Sequence, residues 1–196
     1  MTPHDQYPHD PRGNSAAGGP YPEDPDGPGL GVELRQGALL ALGVTVAGVA
    51  LGLLWLWLAP RVPLVSDGKA VFIKNSEGEE AIGADGTFVL IAAGLGVLTG
   101  AVVFWFFRRG GIAIVIGTAV GALLASVLAW RLGVWLGPAQ DVAAHARAVG
   151  KGKTFDAPLQ LRAKGALLAW PIAATAVHLC LTGIFGPRDP EPPTPV

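Results

Sequence analysis

Apolar positions in this chain run in long unbroken blocks instead of alternating with polar ones. Residues 37–59, 86–107, 110–130 and 165–186 contain no Lys, Arg, Asp or Glu. A helix crossing the hydrocarbon core of a bilayer needs about 20 apolar residues, and each block has that length. The pattern predicts an all-α fold, a four-helix transmembrane bundle over residues 35–186. Its helices fall at about 37–59, 86–107, 110–136 and 165–186. The third outruns its apolar block because Leu132-Gly133-Val134-Trp135-Leu136 follows Arg131. Arg131 then snorkels to the interface, and Gly137-Pro138 stops the helix.

The first block is too long for a signal peptide, whose apolar region runs to about 7–15 residues. Its end, Trp55-Leu56-Trp57-Leu58-Ala59-Pro60, is bulky where a cleavage site has small residues. It reads as a retained span. Residues 1–34 and 187–196 read as disordered tails, rich in Pro, Gly and charge, with too little apolar surface to offset ordering entropy.

Between the first two spans, residues 60–85 carry the most patterned connection. Ser66-Asp67-Gly68 and Asn75-Ser76-Glu77-Gly78 are turn signals, and residues 69–74 between them are β-prone. A small β-like element on the membrane surface is expected here, with Val71 and Ile73 seeking cover. The acidic 78–86 stretch is expected to stay mobile until bound. In the second long loop, residues 139–149 read as a short interfacial helix with Val142, Ala146 and Val149 on one face. The turn Arg108-Arg109-Gly110 is so short that it predicts helices two and three as antiparallel neighbours.

Three spans contain Gly-x-x-x-Gly: Gly48/Gly52, Gly96/Gly100 and Gly117/Gly121, with Ala169/Ala173 in the fourth. Small residues four apart let helix backbones approach closely, either within the chain or in a dimer. Orientation is contested. With the N-terminus inside, five Lys or Arg side chains face the cytoplasm and nine face out, which favours the opposite topology. Yet the inner charges Arg35, Arg108 and Arg109 sit tight against span ends, where they weigh most. The expectation is both termini inside and both long loops outside. Trp55, Trp57, Trp130, Trp135 and Trp170 gather on the loop side and Trp105 on the other. All five are expected in one interfacial belt.

Charged residues make up 15% of the chain, against roughly 25% in soluble domains. The net charge of -1 offers no basic field for nucleic acid. The single Cys180 lies in the fourth block, reads as a packing residue and cannot form an internal disulfide. His178 is the other titratable group in a span. Thr175 and Thr182 share its helix face, and a neutral imidazole hydrogen-bonded to Thr or backbone is expected. A proton relay or a metal ligand is the sharper alternative. His4 and His9 in the tail and the Glu77/Glu79/Glu80/Asp85 cluster are weak cation candidates. The cluster lacks calcium-loop spacing. No Walker loop, H-E-x-x-H, C-x-x-C or G-x-S-x-G motif occurs. No catalytic, cofactor-binding or metal-binding residue is assigned, no cofactor is expected, and the chain does not read as an enzyme.

The stretches Arg61-Val62-Pro63-Leu64-Val65-Ser66-Asp67-Gly68, Glu79-Glu80-Ala81-Ile82-Gly83-Ala84-Asp85-Gly86-Thr87-Phe88 and Leu161-Arg162-Ala163-Lys164-Gly165-Ala166-Leu167-Leu168-Ala169-Trp170-Pro171 carry a resemblance. They are similar to an uncharacterised actinobacterial family of four-helix integral membrane proteins, a domain of unknown function. The resemblance covers roughly residues 35–186. It implies four helices and a plasma-membrane location, and it implies no activity. The expected role is a non-enzymatic structural or accessory subunit at the cell envelope. A small transporter or channel component is the alternative, and a membrane enzyme comes third. Expected partners are the lipid bilayer and another membrane protein, reached through loop 60–85 or the small-residue helix faces.

Overall fold

A computed structural model of the chain describes residues 29–75, 78–108 and 111–186. In chain order it contains α1 (Leu30–Leu58), β1 (Pro63–Ser66), β2 (Val71–Ile73), α2 (Glu80–Phe106), α3 (Ile112–Leu136), α4 (Val142–Val149), β3 (Thr154–Asp156), a 3-10 turn (Lys164–Leu168) and α5 (Ala169–Phe185). Helices α1, α2, α3 and the turn-plus-α5 unit are long and apolar enough to cross a bilayer. The all-α transmembrane bundle with a small β element is the observed fold.

Two helices start earlier than hydropathy alone indicates. α1 begins at Leu30, so residues 30–34 are helical and not tail. Its 29 residues rise about 43 Å at about 1.5 Å each, beyond the ~30 Å hydrocarbon core. The excess carries Glu33 and Arg35. α2 begins at Glu80 and absorbs most of the acidic stretch expected to be mobile. Carboxylates are favoured at a helix N-terminus, where the free N–H groups point. α5 is led in by a 3-10 turn because Pro171 clashes with a regular α turn four residues upstream. The tail segments 1–28 and 187–196, including His4 and His9, lie outside the described residues.

Small residues face inward and large ones outward, the arrangement expected where lipid solvates the surface. α1 buries Gly37, Gly48 and Gly52 and exposes Leu39, Leu42, Val46 and Leu53. α3 buries Gly117, Gly121, Ala122, Ala125 and Ala129. These surfaces form two seams, α1 along α3 and α2 along α5. A Cβ added at Gly37 would sit 2.7 Å from the Ala113 carbonyl oxygen. At Gly48 it would sit 2.7 Å from the Ala125 Cα, and at Gly52 2.9 Å from the Ala129 oxygen. At Gly121 the obstacle is the Ala41 Cα, also at 2.7 Å. In the second seam a Cβ added at Gly96 would sit 2.7 Å from the Trp170 carbonyl oxygen, and one at Gly100 would sit 3.0 Å from the Val177 Cβ. Partner numbers rise together along each seam, so both helix pairs are parallel.

The expectation that α2 and α3 are packed neighbours is corrected. They barely touch, although only a few residues join them. A short turn fixes where two helix ends meet, but side-chain relief decides which faces pack. The Gly-x-x-x-Gly faces of α1 and α3 fit each other, and that of α2 fits α5. All three motifs are occupied by contacts within the chain.

The single tryptophan belt is also corrected. Trp55 and Trp170 are core residues, fully or almost fully buried. Trp55 Nε1 donates to the Ala84 carbonyl at 2.8 Å, and its ring meets Phe88 edge-on at 5.2 Å. Trp170 Nε1 donates to Thr99 Oγ1 at 3.2 Å. Both indoles found an internal acceptor, which let them bury. Trp57 and Trp135 remain as highly exposed side chains at that end, with Trp105 exposed at the other.

Candidate functional site: a cap on the helix ends

Both long connections fold at one end of the bundle, and they fold together. The sheet order is β2-β1-β3 and every pairing is antiparallel. Leu64 opposes Ile73 on one side and Phe155 on the other. The β-like element expected in residues 60–85 is therefore completed by a strand from the second loop, which sequence reading missed. Thr154-Phe155-Asp156 is too short to show a period, and its partner lies far away in the chain.

A small core holds the cap. Leu64, Ala146 and Phe155 are buried, with Val62, Val71, Val142, Val149 and Ala157 packed around them. Val142, Ala146 and Val149 form the apolar face expected for the short helix, which covers the sheet. Asp141 caps that helix by accepting from the Ala144 N–H at 2.9 Å. Gly150 ends it at a φ of 92°, a left-handed conformation natural only to glycine. His145 stacks on Phe155 with ring centroids 5.1 Å apart.

The turn between β1 and β2 is built on Asp67. Its carboxylate accepts from the Lys69 and Ala70 N–H groups at 2.8 and 2.7 Å. Those donors, Ala70 first and Lys69 next, hold the carboxyl below its ordinary range. Gly68, between Asp67 and these donors, supplies the positive φ of the turn.

Asp85 clamps the cap to the bundle. From the second turn of α2, its two oxygens accept from the backbone N–H groups of Arg162 at 3.0 Å and Ala163 at 2.8 Å. Lys164 then places its ammonium 3.9 Å from the centre of the Trp130 ring and donates to the Leu161 carbonyl. Both Asp85 oxygens are thus committed to backbone N–H groups, unlike the cation-binding role that the acidic cluster offered. Glu77 lies outside the described residues. Among the described residues, no three His, Cys, Asp or Glu side chains converge.

Within the spans, His178 is buried beside Phe104, with ring centroids 6.3 Å apart. Of the expected partners, Thr or backbone, no threonine hydroxyl reaches the imidazole, and the ring's backbone contact is to Gly100. Thr182 donates its hydroxyl to the His178 backbone carbonyl at 2.8 Å, and His178 Nδ1 has no hydrogen-bond partner. Cys180 is exposed on the bundle surface and not packed inside.

Beneath the cap lies a groove of about 210 Å³. It is lined by Arg61, Arg162, Gln140 and Gln160 over an apolar floor that includes Leu64 and Leu159. No family model matches the chain. Neither a curated protein nor a solved structure matches it.

Proposed function

We propose that this chain is a multi-pass plasma-membrane protein serving as a non-enzymatic accessory or structural subunit, whose cap docks another membrane protein. Both termini are placed inside and the cap outside. The assignment to the actinobacterial four-helix family belongs to the same proposal.

The observation that carries the reading is the open edge of β2. Among the described residues β2 pairs only with β1. The Lys74 N–H donates to the Pro63 carbonyl at 2.9 Å, so Lys74 and Phe72 face β1 in the alternating antiparallel pattern. The amides of Val71 and Ile73 therefore face away from the sheet. Phe72 and Ile73 are about half exposed. An unpaired edge with exposed apolar side chains is a template for an added strand.

Ile73→Pro tests it. Proline at this position deletes an outward N–H and keeps the β1–β2 ladder. Crosslinking in native membranes should lose the partner seen with the wild type, while insertion is unchanged. Recovery of the same neighbours would reduce the cap to a connector.

A further inference from the structure

The groove beneath the cap has a composition that the docking role does not use. Four chain segments converge on it, each within a few residues of a span end. Arg61 follows α1, Gln140 follows α3, Gln160 and Arg162 precede the last span, and the first turns of α2 supply its wall. Of its fourteen lining residues, two are arginine and none is Asp or Glu. Ten of the remainder are apolar, counting Pro and Ala.

Each cation is held differently. Arg61 is half-buried and its Nη2 donates to the Leu56 carbonyl at 2.8 Å, which anchors the guanidinium against the end of α1. A guanidinium has five N–H donors, so most of its donors stay free for a ligand. Arg162 is exposed, and the Asp85 carboxylate engages its backbone N–H rather than its side chain. One anchored cation and one exposed cation over an apolar floor, at the level where helices leave the bilayer, suit a molecule with an anionic head and an apolar tail.

The geometry points to an anionic phospholipid site here. The phosphate headgroup sits between Arg61 and Arg162, with the Gln140 and Gln160 amides as further donors. The volume is below the ~300–1,000 Å³ of sites that enclose a drug-sized ligand. It takes the headgroup and first methylenes, and the acyl chains lie along the outer helix surface. Guanidinium–phosphate contacts are charge-assisted and directional. Two of them select a phosphodiester carrying net negative charge over a zwitterionic one.

Ile73 also lines the groove, but Ile73→Pro leaves both arginines and both glutamines in place, so the lipid preference should survive a variant that abolishes strand docking. Native mass spectrometry of the full chain in mild detergent tests it. Equimolar phosphatidylglycerol and phosphatidylcholine are the probes. Phosphatidylglycerol adducts should dominate by about tenfold, the effect of losing a charged hydrogen-bond pair. Arg61→Gln/Arg162→Gln should abolish that preference. Arg131→Gln should preserve it, because that exposed guanidinium sits over the Trp130 ring. Where the double variant unfolds, Gln160→Glu decides, since it places a carboxylate in the groove at an exposed position and should abolish the preference alone. Equal retention of both lipids by the wild type overturns the site. So does undiminished preference in the folded variants. Displacement of the lipid by equimolar glycerol phosphate would assign the groove to a soluble phosphate and overturn the lipid assignment.

Discussion

Replacing Gly48 with alanine adds one methyl group to the tightest part of the α1–α3 seam. That methyl would lie 2.7 Å from the Ala125 Cα and closer still to its carbonyl oxygen. These are backbone atoms of the facing helix, so no rotamer change relieves the clash. Restoring an ordinary separation moves the helices apart by about 0.7 Å at this level. A gap of that size forfeits a quarter to a half of each dispersion well, worth about 0.1–0.2 kcal/mol per atom pair. Spread over the tens of pairs along the seam, the loss reaches about 1–3 kcal/mol, the usual cost of overpacking. Gly43 on the same helix supplies the control, because a Cβ there meets nothing within 4 Å. Gly43→Ala should be neutral or gain up to about 1 kcal/mol from helix propensity. Reversible unfolding of the detergent-solubilised protein by SDS titration reads both. Equal stability of the two variants would refute the seam as the element that holds the bundle.

Other consequences are as direct. Asp85→Ala removes the acceptor of two backbone N–H groups and should lower stability by about 1–3 kcal/mol. Amide exchange at Arg162 and Ala163 should rise, and unchanged exchange would exclude the clamp. The folded-state carboxyl of Asp67 lies below its unfolded value, so its contribution is present above about pH 3.9 and is lost as pH falls through the lower folded value. The Lys69 and Ala70 amide resonances should therefore titrate with a midpoint below about 3.9, and a midpoint at or above it would refute the turn. His178→Leu should insert and unfold close to the wild type, because the imidazole Nδ1 has no partner among the described residues and only the contact to the Gly100 backbone is lost. Cysteines at Lys69 and Ala148 should label from the same side of the membrane and a cysteine at Leu34 from the other. Labelling of all three from one side would sink the four-span arrangement.

The spans were legible because apolar blocks of this length have few other readings. Their packing was legible only in part. The Gly-x-x-x-Gly motifs mark faces that approach closely, but nothing in one motif says which other motif it meets. The short 108–110 connection argued for α2 against α3, whereas the fit of Gly37, Gly48 and Gly52 to α3 prevailed. Trp55 and Trp170 were misplaced because interfacial position along the chain is visible while rotation about the helix axis is not. A core indole needs an acceptor, and the Ala84 carbonyl and Thr99 hydroxyl become acceptors only after the helices have packed. The cap was half visible. β1 and β2 lie in one turn-bounded stretch, whereas β3 comes from the other long loop. The Arg61–Arg162 groove was invisible for the same reason, since about 100 residues separate its two cations.

The two seams have a consequence for assembly. The chain consists of two hairpins, α1–α2 and α3–α5, yet each strong helix pair joins one hairpin to the other. α1 waits for α3, and α2 waits for α5. β1 likewise waits for β3, and Asp85 waits for the Arg162 and Ala163 amides. A truncation after α2 would therefore insert two apolar helices with their glycine faces open to lipid and a two-stranded cap without its third strand. An isolated hairpin of that size is marginal in water. Expression of residues 29–108 alone should give a membrane-inserted but protease-sensitive product. Coexpression with residues 111–186 as a separate chain should restore protease resistance. The small-residue seams and the shared sheet lie between the two fragments. Protease resistance of the first fragment by itself would show that its helices pack within the hairpin and that the inter-hairpin seams are secondary.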